Sequence, residues 1–131
     1  MRTTMEASGP VSAAEVWDRY ARPDRWSEWA PYLFGVETSA DRLSAGMTGR
    51  VRGPLGVSVP FVVTGFDEGE VGGRWAWQVR FGPTELSFDH GVEPSGTGTR
   101  TWLIADGPLP VLVLYLPLAR LSLEMLVRRG A

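Results

Sequence analysis

The sequence predicts an α+β domain in which a curved antiparallel sheet of about six to seven strands packs around one long C-terminal helix. Short segments of alternating apolar and polar residues recur between residues 34 and 106, as expected for strands with one covered face. The period changes to that of a helix after Gly107. The length of 131 residues indicates one domain over residues 1–131.

The N-terminal part predicts a strand followed by a helix. Residues 2–7 alternate weakly and form the first predicted strand. Ser12 and Glu15 have the spacing of a capping box, which places the start of a helix at about Ala13. Pro23 should end that helix, because the residue before a proline disfavours helical geometry.

A second short helix is predicted over residues 24–30, where Trp26 and Trp29 are spaced to share one face. Strands then follow, with turns rich in glycine and proline between them. We predict these strands at residues 34–38, 47–52, 57–66, 74–81, 86–93 and 99–106. In the last of them both faces carry apolar side chains, which indicates a bulge or a strand that is covered on both sides.

The last segment, residues 110–129, has the period of a helix. Its apolar stripe has four members at i, i+4, i+7 and i+11, which are Leu114, Leu118, Leu121 and Met125. A helix with such a stripe can cover the apolar face of the sheet. Pro117 should kink this helix or separate a short lead-in turn from the main helix.

Composition excludes several classes of chemistry. The chain has no cysteine, which rules out disulfide bonds, thiolate catalysis and cysteine-based metal sites. All 13 basic residues are arginine, so no lysine is available to form a Schiff base. His90 is the single histidine, which excludes a metal site built from several histidines. We therefore expect no metal and no cofactor.

Charge and hydropathy restrict the kinds of partner and the cellular location that the chain can have. The formal net charge is −2 and the arginines are spread along the chain, which argues against a nucleic-acid surface. The first residues lack the apolar core of a signal peptide. The longest apolar run, residues 111–116, is far shorter than the ~20 residues that span a bilayer. We expect a cytoplasmic protein without stable membrane insertion.

Four segments carry a family resemblance: VSAAEVWDRYARPDRWSEWAP at 11–31, AGMTGRVRGPLGVSVPFVVTGFDEG at 45–69, GRWAWQVRFG at 73–82 and FDHGVEPSGTGTRTW at 88–102. They resemble the SRPBCC superfamily in its polyketide cyclase/dehydrase-like branch, with the helix-grip architecture of START lipid-transfer domains and birch-pollen-type allergens. The resemblance implies a cavity between the sheet and the terminal helix. It leaves the activity open, because the superfamily includes binders, transfer proteins, cyclases and other enzymes.

The strand pattern indicates which residues would line that cavity. With the turn at residues 82–85, four cross-strand pairs are expected: Phe81–Leu86, Val79–Phe88, Trp77–His90 and Trp75–Val92. The predicted lining consists of Trp26, Trp29, Val59, Phe61, Trp75, Trp77, Val79, Phe88, His90, Leu118, Leu121 and Met125. Such a lining suits a small hydrophobic or planar ligand. Each aromatic residue could instead be simple core packing.

His90 and Tyr32 are the candidate catalytic residues. His90 is the only strongly polar side chain on an inward strand face, and imidazole titrates near neutral pH without perturbation. It could act as general acid or base on an enolisable ligand, with Tyr32 donating a hydrogen bond to a carbonyl. The alternative is structural: an imidazole that stacks on Trp77, and a tyrosine that bonds a backbone group.

Three functions remain open. A carrier or binding protein for a small lipid, aromatic or polyketide-like molecule agrees best with an apolar cavity and few catalytic groups. A cyclase or dehydratase that uses His90 as acid or base would need little more than a shaped, dry cavity. The third is a protein-interaction or assembly module: residues 111–118 are apolar nearly all round, so a helix there could bury a second face against a partner subunit, for example in a homodimer.

Overall fold

The computed structural model describes residues 1–130 and has the predicted α+β architecture. Its strands are β1 (Arg2–Gly9), β2 (Gly35–Thr38), β3 (Thr48–Arg52), β4 (Ser58–Glu68), β5 (Gly73–Phe81), β6 (Thr84–Ser95) and β7 (Gly98–Asp106). Its helices are α1 (Ala13–Ala21), α2 (Trp26–Trp29) and α3 (Leu109–Arg128), with 3₁₀ turns at Pro23–Arg25 and Pro54–Gly56. Ser12 caps α1 as its spacing to Glu15 predicts, accepting a hydrogen bond from the Glu15 backbone N–H.

The seven strands form one sheet in the order β1-β7-β6-β5-β4-β3-β2, and every neighbouring pair is antiparallel. The sheet curves around α3, which gives the helix-grip arrangement. A register shift between Val63 and Gly65 marks a bulge in β4. A bulge bends its strand and increases the local twist, so it contributes to the curvature.

The hairpin between β5 and β6 is tighter than the sequence analysis supposes. The turn after Phe81 has two residues and not four, and all four expected pairs are shifted by two residues. Gly82 makes the short turn with a φ of 61°, in the region that favours glycine. A shift of two preserves the faces of both strands, but it places His90 opposite Trp75 and not Trp77.

The last strand, β7, is regular and has no bulge in its pairing with β1 or β6. Its inward residues are buried: Thr99, Thr101, Leu103 and Ala105. On the outer face, the Trp102 ring lies over Gly91, where an added Cβ would come within 1.8 Å of it. The guanidinium of Arg100 lies 5.1 Å from the centroid of the same ring. The apolar outer residues of β7 are therefore covered by neighbours on that face and not by a second layer.

The helix α3 runs unbroken through Pro117, so the expected division into a lead-in turn and a main helix does not occur. Proline has no N–H to donate to the carbonyl four residues earlier. That carbonyl belongs to Val113, a residue on the solvent side of the helix. Among residues 1–130, α3 is also the one helix long and apolar enough to cross a membrane by length and composition, although 33% of its most apolar window is buried in the domain.

The buried face of α3 differs from the predicted stripe. The buried residues are Leu112, Ala119, Ser122, Leu123, Leu126 and Val127. Leu114, Leu118 and Leu121 are instead 78%, 40% and 46% exposed. Only one buried residue precedes Leu118, so the C-terminal half of α3 packs closely on the domain and the N-terminal half stands away from it.

Arg19 of α1 fastens the C-terminal end of α3. Its buried guanidinium donates hydrogen bonds to the carbonyl oxygens of Leu126 and Arg129, both at 2.8 Å. Carbonyls in the last turn have no partner within the helix and carry the negative end of its dipole, so a cation is favoured there. The backbone N–H of Val11 donates to the next carbonyl, that of Val127, at 3.1 Å.

The fully buried Tyr20 attaches α1 to the sheet. Its hydroxyl lies 3.1 Å from Oγ1 of Thr101, and Thr101 donates to the carbonyl of Gly91 at 2.8 Å. Because a threonine hydroxyl has one hydrogen, Tyr20 is the donor in the bond between the two side chains.

We expect Thr101→Val to lower the free energy of unfolding by about 1–3 kcal/mol, because the buried Tyr20 hydroxyl loses its acceptor. Urea unfolding at neutral pH measures this change. Adding Tyr20→Phe to Thr101→Val should recover part of the loss, since the unpaired hydroxyl is then absent. Equal stability of the single and double variants would contradict this account.

Candidate functional site

A cavity of about 380 Å³ lies between the inner face of the sheet, α2 and the N-terminal half of α3. The predicted residues that line it are Trp26, Trp29, Tyr32, Val59, Trp75, Trp77, Val79, Phe88, His90 and Leu118. Phe81, Leu86 and Leu114, from the predicted inward strand faces and helix stripe, also line it. The lining residues that the sequence did not indicate are Ala30, Leu33, Val51, Val111 and Tyr115. The volume is in the range of small-molecule sites in proteins.

Three predicted lining residues lie elsewhere. Phe61 is buried behind the wall, with its ring centroid 5.1 Å from that of Trp77. Leu121 is on the exposed side of α3, and Met125 packs against the core of the domain one turn further on. Both helix residues lie in the C-terminal half of α3, whereas the cavity lies against its N-terminal half.

One missed residue could have been found from the strand pattern. Val51 of β3 pairs directly with Val59 of β4, so the two share a face of the sheet. Predicting Val59 in the lining therefore implied Val51 as well. No comparable sequence signal identifies Ala30 or Leu33, which follow α2 and reach the cavity through the path of the chain.

The cavity opens between the β5–β6 turn and α3. Phe81, Leu114 and Leu118 line the cavity and are also 50%, 78% and 40% exposed. These three residues form the mouth. An apolar mouth lets a hydrophobic molecule pass from the surface into the cavity without crossing a charged rim.

The inner wall is a packed set of aromatic rings. The imidazole of His90 stacks on the indole of Trp75, with ring centroids 4.2 Å apart and planes at 8°. Tyr20 meets this imidazole edge-on at 5.3 Å, and Trp26 lies 5.7 Å from Trp75. The stacking expected of a structural His90 is therefore present, but the partner ring is Trp75 and not Trp77.

His90 is neutral in the folded protein. The residue is 7% exposed, and its Nδ1 atom is buried without a hydrogen-bond partner. Burial lowers the pKa of His90 to about 3, because the charged imidazolium loses its hydration there. A group that exchanges protons in catalysis works best with a pKa near the working pH, so this imidazole is poorly suited to acid–base chemistry at neutral pH.

The second candidate catalytic residue, Tyr32, belongs to a small hydroxyl cluster beside α3. Its hydroxyl lies 2.9 Å from Oγ of Ser122 and 3.5 Å from the hydroxyl of Tyr115. Tyr32 and Tyr115 supply the only hydroxyl groups among the lining residues, and none of these residues is an aspartate, glutamate or arginine. The cavity is therefore uncharged, with its two hydroxyl groups close together beside α3.

Comparisons with known proteins relate the chain to one family. A family model described as polyketide cyclase/dehydrase and lipid transport matches residues 1–128. No curated protein matches the sequence.

Solved structures share the fold at low sequence identity. A hypothetical protein from Helicobacter pylori has a TM-score of 0.81 and 15% identity, covering 97% of this chain and 86% of its own. Ara h 8.0201 has a TM-score of 0.74 and 13% identity, with coverage of 96% and 94%. CalU16 from Micromonospora echinospora has a TM-score of 0.73 and 16% identity, with coverage of 95% and 73%.

We expect the imidazole signals of His90 to stay at their neutral positions in NMR spectra between pH 8 and pH 4, because its pKa is lowered to about 3. The unfolded chain binds that proton near pH 6.5, so the folded state loses stability as the pH falls from 6.5 toward 3. Relative to His90→Phe, the wild type should lose about 2 kcal/mol of unfolding free energy between pH 7 and pH 5. A titration midpoint near 6.5 in the folded protein would refute the prediction.

Proposed function

The chain belongs to the polyketide cyclase/dehydrase and lipid transport family, and we propose that it binds a small hydrophobic molecule in the cavity and acts as a carrier. The observation that carries the proposal is the cavity itself, about 380 Å³ with an apolar, uncharged lining and an apolar mouth. Burial of apolar ligand surface supplies roughly 25 cal/mol per Å², so such a site favours lipid, aromatic or polyketide-like molecules.

The alternative of a cyclase or dehydratase has less support from this site. Its proposed acid or base, His90, has a pKa lowered to about 3 and stacks on Trp75 as part of the wall. Tyr32 directs its hydroxyl to Ser122. Neither group is prepared for proton transfer, so binding is the function that we propose.

A cytoplasmic location belongs to the same proposal. The chain has no cysteine, so its fold does not depend on an oxidising compartment. A carrier of hydrophobic molecules is useful where such molecules must cross an aqueous space.

We expect N-phenyl-1-naphthylamine, a neutral aromatic probe, to bind one site per chain in isothermal titration calorimetry. Val79→Phe should weaken this binding at least about tenfold, because the larger side chain occupies part of the cavity. The matched control is Gln78→Phe, which adds a ring to the outer face of the same strand and should leave the affinity unchanged. Equal affinities of both variants and the wild type would contradict binding in this cavity.

Native mass spectrometry of gently purified protein provides a second test. A small molecule retained on the folded ion would give the mass of the natural ligand. Loss of this adduct in Val79→Phe, but not in Gln78→Phe, would place it in the cavity.

The exposed stripe of α3 supports a second proposal, self-association. Leu114, Leu118 and Leu121 are exposed with the i, i+4, i+7 spacing of a helix–helix interface. Arg120 and Glu124 lie beside the stripe and pair with each other within the helix at 3.6 Å, so both signs of charge border the stripe, as a two-fold contact between copies of the same helix requires. We propose that two chains pair through this face.

Sedimentation velocity should show a species of twice the monomer mass that Leu121→Glu abolishes, because a charge is then buried in the contact. Leu121 does not line the cavity, so Leu121→Glu leaves the cavity wall itself unchanged. Val71→Glu, at an exposed apolar residue of the β4–β5 loop, should leave the dimer intact. A wild type that stays monomeric at high concentration, or that sediments with lipid vesicles instead, would overturn the proposal.

A further inference from the structure

We infer that the ligand is an uncharged molecule whose apolar body carries an oxygen that accepts a hydrogen bond, and that the hydroxyl of Tyr115 donates to that oxygen. The inference rests on the proposed function, since it names the chemistry of the molecule that the cavity would hold. Two observations support it: the direction of the hydrogen bonds around Ser122, and the absence of charged residues from the cavity lining.

The direction of each bond in the hydroxyl cluster follows from the backbone. Ser122 donates to the carbonyl oxygen of Leu118 at 2.9 Å, and a carbonyl can only accept. A serine hydroxyl has one hydrogen, so its oxygen must accept in the 2.9 Å contact with Tyr32. Tyr32 is therefore a donor to Ser122 and has no hydrogen left for a ligand.

Tyr115 is the third hydroxyl of the cluster, and its hydrogen forms no hydrogen bond of normal length with Tyr32 or Ser122. Its oxygen lies 3.5 Å from the oxygen of Tyr32, which is longer than the roughly 2.5–3.0 Å of an O–H···O hydrogen bond. The Tyr115 ring packs 5.3 Å from Phe88 and lines the cavity. Because Tyr32 gives its own hydrogen to Ser122, its oxygen accepts from Tyr115 in this long, weak contact, and a ligand oxygen at normal distance would offer the Tyr115 hydrogen a better acceptor.

The other donors on the lining are already used or covered. The indole N–H groups of Trp26 and Trp29 donate to backbone carbonyls at 2.8 and 3.1 Å. The indole nitrogens of Trp75 and Trp77 and the Nδ1 atom of His90 have no partner, but each atom is itself buried under its neighbours. The imidazole of His90 also makes a hydrogen bond to the backbone of Trp75, so its single N–H is already used. Among the described residues, Tyr115 is the donor that remains for a molecule in the cavity.

The charge of the wall restricts the ligand further. None of the lining residues is an arginine, an aspartate or a glutamate, and the pKa of His90 is lowered so that its ring is neutral. A carboxylate in the cavity would lose its hydration without gaining a counter-charge. Ketones, esters and similar neutral acceptors fit this environment, whereas fatty-acid anions do not.

Three ligands with the same ring system test the inference in isothermal titration calorimetry: 2-ethylnaphthalene, 2-acetylnaphthalene and 2-naphthoate. Tyr115→Phe should weaken binding of the ketone about 2- to 12-fold and leave the hydrocarbon unchanged, because only the ketone loses a neutral hydrogen bond. Tyr32→Phe is the matched control and should preserve the ratio of ketone to hydrocarbon affinity. The wild type should bind naphthoate at least about tenfold more weakly than the ketone.

The outcomes separate this inference from the proposed function. If the hydrocarbon binds but Tyr115→Phe affects both neutral ligands equally or not at all, the inference fails and hydrophobic binding stands. It fails also if Tyr32→Phe, and not Tyr115→Phe, removes the selectivity, or if naphthoate binds as tightly as the ketone. If none of the three binds the wild type, the proposed function fails and the inference fails with it.

Discussion

The cavity depends on how α3 is held at only one of its ends. Arg19 reaches from α1 into the protein interior and bonds two carbonyls of the last turn, and Val127 receives a third bond from the chain that precedes α1. Small residues, Ala119 and Ser122, let this half of the helix approach the domain closely. Near the N-terminal end Leu112 is the one fully buried residue, so the space between helix and sheet remains open there.

The wall residues of the cavity are held in place by contacts within the protein. Trp26 and Trp29 bond backbone carbonyls of α1, and Trp75 stacks on His90 from the neighbouring strand. Arg25 bonds three carboxylates, those of Glu15, Asp18 and Glu28, which joins α1 to α2. These contacts fix the positions of the wall residues, so the shape of the cavity does not depend on a bound molecule.

Sequence reasoning predicted the elements and the faces of the strands, because a period of two and a capping box are local signals. It placed the β5–β6 register wrongly, because the turn length depends on the positive φ of Gly82, which the letters Gly-Pro-Thr-Glu do not reveal. The buried face of α3 was also missed. Residues 107–119 carry no charge, so nothing in that segment distinguishes an inner side from an outer one. In the rest of the helix Arg120, Glu124 and Arg128 recur every four residues and mark the outer side, a signal that the predicted stripe did not use.

The hydroxyl cluster lay beyond sequence reasoning for a different reason. Tyr32 and Ser122 are 90 residues apart, and their contact exists only after α3 has docked beside α2. Local patterns indicate which residues point inward, but the partners of an inward polar group are a property of the tertiary structure. The sequence suggested a tyrosine as the donor to a ligand, but which tyrosine has a hydrogen to give could be found only from the folded chain.

The crowding of indole rings around the cavity also has an optical consequence. Trp26, Trp75 and Trp77 lie within 5.2–5.7 Å of one another, close enough for light absorbed by one ring to be shared among them. A molecule that touches any one of these rings would change the emission of the whole group. Trp102, on the outer face beneath Arg100, would keep its emission as an internal reference. The intrinsic tryptophan fluorescence of the protein would therefore report whether a molecule is bound in the cavity.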